Sequence, residues 1–190
     1  MARTDDAGSF QARLFRADAS DMELSFDDLI SVQLDDQSLL WIDLVDPTEE
    51  ELRNVWRACK LPQAALRYID EGTTPSVAKE GEYFWLRVVA ISADSRQEAV
   101  TGVVLTLVAG CNKVVSIHSD PLAFIRELLE REDDASKIGG LCAESFVASL
   151  LDWHLSTYFQ AVSDYEMAIE RTENDILDQS RKTSLGELQR

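Results

Sequence analysis

The stretch LLWIDLVDPTEEELRNVW, Leu39 to Trp56, runs from a strand directly into a helix. Leu39, Leu40, Ile42, Leu44 and Val45 around Trp41 form an apolar run of strand length, and the Asp46-Pro47 pair forbids its continuation. Asp46 is expected to accept the free amides of a first helical turn, Pro47 has no amide to lose there, and Glu49 to Glu51 carry negative charge where the helix dipole favours it. These residues predict a helix that starts at Pro47. Leu52, Val55, Trp56 and Cys59 then recur at i, i+3, i+4 and i+7, which gives the helix one apolar face, while Arg53, Asn54 and Arg57 point to water. The three glutamates read as a solvated helix end rather than a cation site, and nothing in the stretch is a catalytic signature.

Upstream, residues 1–9 are polar and expected to fray. Phe10, Leu14 and Phe15 open a first strand, and SFDDLI (Ser25 to Ile30) reads as a short helix capped by Ser25. Downstream, LPQAALRYIDEG places Pro62 at a helix start and Gly72 at its end, with Ala65, Leu66 and Ile69 facing inward. EYFWLRVVAIS, AVTGVVLTLVAG and NKVVSIHS are β-rich runs, the last two joined by a turn around Gly110, Cys111 and Asn112, and they are expected to pair antiparallel. SDPLAFIRELLERE repeats the Asp-Pro helix start with Leu122, Ile125, Leu128 and Leu129 on one face, and Gly139 and Gly140 mark a break.

From Cys142 the pattern changes. Phe146, Val147, Leu150, Leu151, His154, Tyr158, Ala161, Val162, Tyr165, Ile169, Ile176 and Leu177 keep helical spacing, with no Gly or Pro before Gly186. A helix from Cys142 to about Ser180 would extend roughly 58 Å, longer than a compact domain of this size is wide, so its end is expected to leave the globule. Beyond Asp164 it carries Glu166, Glu170, Glu173, Asp175 and Asp178 against Arg171 alone, so it needs a partner surface. Either the chain continues or the helix packs in an oligomer.

The totals exclude several classes. Over 190 residues, 35 acids against 18 bases give a net charge of −17, a field that repels nucleic acid and anionic membrane surfaces and gathers cations. Cys59, Cys111 and Cys142 are odd in number and far apart, which suits a reduced, cytosolic compartment rather than a disulfide framework or zinc knuckle. The N-terminus lacks the apolar core of a signal peptide, and the longest apolar run, Val100 to Cys111, is interrupted by Thr101, Gly102 and Thr106 and is too short to span a membrane. The chain is expected to be soluble.

The order of WIDL, DPTEEEL, a Pro-started helix ending near TPSV, EYFWLRVVAIS, the VTGVVLTLVAGCNKVVSIHSDP hairpin and the acidic LLDWHLSTYFQAVSDYEMAIERTENDIL helix resembles the cytosolic domain of CorA-type divalent cation transporters, a superfamily that includes the ZntB-like zinc transporters. The resemblance covers most of residues 36 to 180. It implies an α/β (α+β) fold: a three-layer α/β/α domain over residues 10–140 with a mixed, partly antiparallel sheet, then a long C-terminal stalk helix over 141–190. It further implies that the stalk continues into transmembrane helices and surrounds the pore of a homopentamer on the cytosolic side of the inner membrane. The family's Gly-Met-Asn signature would lie beyond Arg190, the membrane would be reached only through that missing C-terminal part, and this fragment alone would be a monomer or dimer. No enzymatic chemistry and no required cofactor is implied; Mg²⁺, or another divalent cation such as Zn²⁺ or Co²⁺, is the ion involved.

One departure bears on regulation. Magnesium-sensing members carry a Glu-Asp pair on the helix before an Arg-Pro motif, and that Asp helps hold an ion between subunits. In ALRYIDEGTTPSV the position falls on Arg67 or Tyr68, and Thr74 stands before Pro75. A guanidinium donates only and repels Mg²⁺, so Asp70 and Glu71, a turn later, are the substitute candidates. Asp164, Glu173 and Asp175 on the stalk are the other metal candidates, set against a simple solvated acidic face. His118 with Ser116 and Asp120 invites a catalytic reading, but no glycine elbow or oxyanion hole accompanies it and strand neighbours alternate faces, so no catalytic residue is assigned. His154 reads as a packed, hydrogen-bonded core residue rather than a metal ligand, and Trp85 and Trp153 read as core. The leading reading is a gating and assembly domain; the alternative from another class is a stand-alone acidic interaction module whose long helix pairs with a partner helix.

Overall fold

Strand Ser38–Val45 is buried along nearly its whole length, and its two faces carry different cores. Leu39 and Trp41 join one apolar cluster with Leu122, Ile125, Phe146 and Leu150, whereas Leu40, Ile42 and Leu44 join another with Leu29, Val55, Trp56 and Ala65. A strand apolar on both faces must be covered by helices on both, which makes the domain a three-layer α/β/α stack.

The computed structural model describes residues 10–18, 20–70, 72–93, 100–130 and 138–188; the expected frayed segment 1–9 lies outside them. The strands are β1 (Phe10–Arg16), β2 (Met22–Glu23), β3 (Ser38–Val45), β4 (Ser76–Glu80), β5 (Tyr83–Ala93), β6 (Val100–Gly110) and β7 (Lys113–His118). The helices are α1 (Phe26–Ser31), α2 (Glu49–Cys59), α3 (Gln63–Asp70), α4 (Ala123–Glu130) and α5 (Ala143–Leu188). Among the described residues the strands form one mixed sheet in the order β2-β1-β3-β7-β6-β5-β4. β3 and β7 are parallel, while the other neighbours, including the expected β5-β6 and β6-β7 pairs, are antiparallel. The β6–β7 turn has left-handed Cys111 (φ 50°) and Asn112 (φ 58°), the pattern of a tight hairpin.

The junction at Asp46 differs from expectation. Asp46 has a left-handed φ of 46°, and its amide donates to the His118 carbonyl at 2.8 Å, so it is tied to the end of β7 just past β3 and is not the helix cap. The cap is Thr48: the Glu51 amide donates to its hydroxyl at 3.2 Å, and the Thr48 amide donates back to the Glu51 carboxylate at 2.7 Å. This reciprocal capping box moves the start of α2 to Glu49. The second Asp-Pro junction behaves alike, with α4 beginning at Ala123, two residues past Pro121. The expected buried stripe of α2, Leu52, Val55, Trp56 and Cys59, is present.

Two strands were not expected. β4 lies beyond the expected helix end at Gly72, where the sequence pattern predicts no element; it is an exposed edge strand, and Lys79 and Glu80 give it no apolar alternation. β2 is only two residues long. The last helix begins one residue after Cys142 and runs unbroken through Gly186 to Leu188, 46 residues or about 69 Å of helix. The chain divides into two compact units, Met1–His154 and Leu155–Arg190. None of the helices is long and apolar enough to cross a membrane, among the described residues.

The expected break at Gly139 has a packing cause. A Cβ there would lie 2.1 Å from the Arg16 carbonyl carbon and 2.6 Å from the Ala17 amide nitrogen, both backbone atoms that cannot rotate away. The segment between α4 and α5 therefore touches the end of β1 through a bare backbone. Gly139→Ala is expected to destabilise the domain by about 1–3 kcal/mol, the usual cost of overpacking; urea denaturation checks this, and an unchanged midpoint would show that the close approach is not needed.

Candidate functional site

The end of α3, where an ion-holding pair was sought, is organised around an arginine. Arg87 rises from β5, is 4% exposed, and donates through Nη2 to the carbonyl oxygens of Tyr68 and Ile69, the latter at 3.4 Å. Its guanidinium lies 4.4 Å from the centroid of the Tyr68 ring. The Tyr68 hydroxyl bonds Ser76 on β4, and Trp85 packs against the same ring at 6.2 Å. A cation set on the last carbonyls of a helix satisfies free acceptors and the negative end of the dipole. Arg87 Nε and Trp85 Nε1 are buried without a hydrogen-bond acceptor, and both side chains lie at the face or flank of Tyr68, whose π-cloud is the available electron-rich surface.

Arg67 is exposed, and Asp70 is the last residue of α3. Glu71 lies outside the described residues. Two arginines thus stand at this helix end, and neither can ligate a cation. Sequence reading passed over Arg87, although a charged residue inside the apolar run EYFWLRVVAIS was the available signal.

On α5, Asp164, Glu173 and Asp175 are exposed, and Asp164 accepts from the Gln160 amide at 3.0 Å. Asp164 and Glu173 are nine residues apart, roughly 13 Å along the axis, and residues two apart leave a helix about 200° around from each other. One copy of the helix does not bring the three together. Among the described residues no group of three or more His, Cys, Asp or Glu is placed to hold a metal ion. The same part of the helix exposes Tyr158, Val162, Tyr165, Ile169 and Ile176, each between 40% and 58% accessible, at spacings of four, three, four and seven.

The residues around His118 form a buried polar network. Ser116 and His118 are two apart on β7, so they share a face rather than alternate. Their common partner is Asp43 on β3, not the Asp120 carboxylate. The Trp41 indole N–H donates to Ser116 Oγ at 2.9 Å, the Ser116 hydroxyl donates to Asp43 Oδ1, and His118 Nε2 lies 3.1 Å from that same oxygen. Asp120 contributes its backbone carbonyl, 2.7 Å from His118 Nδ1. The hydroxyl gives its proton to the carboxylate and not to the imidazole, and Ser116 is fully buried, so the arrangement has neither an activated nucleophile nor access for a substrate. Beside it a cavity of about 20 Å³, lined by Gln11, Arg13, Glu23, Trp41, Asp43 and Leu129, has room for about one water.

The CorA-like Mg²⁺ transporter family model matches residues 36–190. The chain belongs to the CorA-like family. Full-length CmaX has the same fold over 87% of this chain and 53% of its own, at 18% identity and a TM-score of 0.68. The complete CorA magnesium transporter from Methanocaldococcus jannaschii is matched over 87% of this chain and 51% of its own, at 20% identity and a TM-score of 0.65. The ZntB cytoplasmic domain from Vibrio parahaemolyticus is matched over 82% and 63%, at 13% identity and 0.56. The CorA-like chain described here therefore spans about half the length of CmaX and of the complete CorA. None of the curated proteins matches it.

Within this CorA-like domain the α3 end is a cationic, aromatic clamp. Arg87→Met is expected to lower stability by roughly 2–3 kcal/mol, through lost charge-assisted bonds to helix carbonyls and the lost ring contact. Arg67→Ala, at an exposed position, is expected to leave the urea midpoint unchanged. Equal effects of the two substitutions would contradict the clamp.

Proposed function

We propose that this chain is the cytosolic gating and assembly domain of a CorA-like divalent metal ion transporter. Family membership supports the class; the line Tyr158, Val162, Tyr165, Ile169 and Ile176 supports the role. Large apolar side chains alternating at four and three along a helix form the seam by which helices pack side by side, and identical copies arranged around an axis would bury it. In this reading α5 is a stalk, the assembly is a homopentamer on the inner face of the membrane, and the tilt of the stalks carries a bias from subunit contacts to the pore. The cargo is Mg²⁺, with Zn²⁺ and Co²⁺ in the same class, and the net charge of −17 concentrates such ions near the entrance. The domain performs no bond-making chemistry. Asp70, Glu71, Asp164, Glu173 and Asp175 are the carboxylates by which a cation would meet it, each needing a second subunit or water to complete a shell.

The full reading frame, purified and placed in vesicles loaded with a cation indicator, is expected to admit Mg²⁺. Replacing Tyr165 and Ile169 together by Lys should reduce that flux to background while the far-ultraviolet circular dichroism of the protein stays the same. Absence of flux with Mg²⁺, Zn²⁺ and Co²⁺ alike, or undiminished flux and oligomer size in the double variant, would overturn the proposal. Because Arg67 occupies one of the positions to which the ion-holding Asp of magnesium-sensing relatives aligns, the sedimentation of this chain should not respond to millimolar Mg²⁺; assembly on adding the ion would show that the regulatory contact persists.

A further inference from the structure

The chain has two histidines, and both bear on the short segment that carries β7 into α4. His118, 3% exposed, ends β7 and faces two groups that only accept: an Asp43 carboxylate oxygen at 3.1 Å and the Asp120 carbonyl oxygen at 2.7 Å. A neutral imidazole carries one proton and can satisfy only one of them; satisfying both takes a proton on each nitrogen. Asp43 Oδ1 also receives the Ser116 hydroxyl, so that oxygen serves only as an acceptor. His154, 7% exposed on α5, packs its ring 6.0 Å from that of Phe124 in the first turn of α4, and its Nδ1 is buried without the hydrogen bond expected of it. A second proton there would have no acceptor, which favours the neutral form.

We propose that these histidines form a proton-operated latch on α4: the cation of His118 ties the entry of the helix to β3, and neutral His154 lets α5 dock on its first turn. Protonation of His154 or deprotonation of His118 loosens the same segment. The charged surroundings agree. Burial pushes the pKa of His118 down, but the hydrogen bond and charge of Asp43, with Asp120, outweigh it and hold the pKa above its usual value. Arg13 from β1 and Glu23 from β2 line the cavity beside Asp43. For His154 burial alone acts, pushing its pKa down, with Phe124 facing it from α4 and the nearby α4 charges Arg126 and Glu127 exposed.

The signs follow from linkage. The contribution of His118 is complete below its unfolded pKa and disappears as pH rises through the folded value; that of His154 is intact above its unfolded pKa and is lost as pH falls toward the folded value. Both unfolded values lie at about 6.5. Docking of α4 is therefore tightest near that pH and weakens on either side. The latch lies within residues 43–154 and stands whether or not the transport reading does.

A proton–carbon NMR titration of this chain reads both rings directly, and the His154 signal is identified by cross-relaxation to Phe124. It should inflect below about 6.5, and the His118 signal above it. Two inflections at the ordinary value, or the reverse order, would overturn the latch, and this needs no variant. Hydrogen exchange of the α4 amides, corrected for intrinsic rate, should be slowest near the same pH and speed up on both sides, by at most tenfold per pH unit for one proton. His118→Gln should abolish only the alkaline limb and His154→Gln only the acid limb; retention of both limbs in both variants would contradict the proposal.

Discussion

The constraint on which the rest depends is that β3 has no face toward water. Leu39 and Trp41 point one way, Leu40, Ile42 and Leu44 the other, and all five are at most 1% exposed. A single strand thereby demands two helical covers: α1, α2 and α3 on one side, α4 and the first turns of α5 on the other. Its neighbour β7 runs parallel to it, and the chain leaves both strands through an Asp-Pro step. Those twin exits turn the chain toward opposite layers. The same central pair holds the buried polar network, since Trp41 and Asp43 come from β3 and Ser116 and His118 from β7.

Much of this was legible because apolar spacing survives folding. The α2 stripe, the β5-β6-β7 antiparallel run, the Ser25-capped α1 and the long final helix all follow local pattern, and the structure has them. Failures arose where a residue served a distant partner. Asp46 looks like a helix cap by sequence but is tied to the His118 carbonyl, 72 positions away, leaving Thr48 and Glu51 to cap. β4 lacks alternation because an edge strand is exposed on both faces, and no periodicity identifies such a segment.

The polar interior was less legible still. That Ser116 and His118 share a face could have been read from their separation of two, yet their meeting with Asp43 depends on the parallel register of β3 and β7, which pairs Asp43 with Ser116. Arg87 likewise shows its meaning only when α3 is laid over β5. The metal candidates have a different difficulty: exposed carboxylates on one helix become a site only through another chain, so a single sequence ranks them poorly.

The central claim is that the apolar line on α5 exists to meet copies of itself. The most direct measurement is disulfide cross-linking of the full reading frame in membranes of cells expressing it, with Cys59, Cys111 and Cys142 replaced and one new cysteine placed at Ile169, or in a control at the acidic Glu170 beside it. The account predicts covalent dimers from Ile169 joined within an assembly of five, with far less from Glu170. Equal cross-linking at both positions, or none at Ile169 in an active transporter, would contradict it.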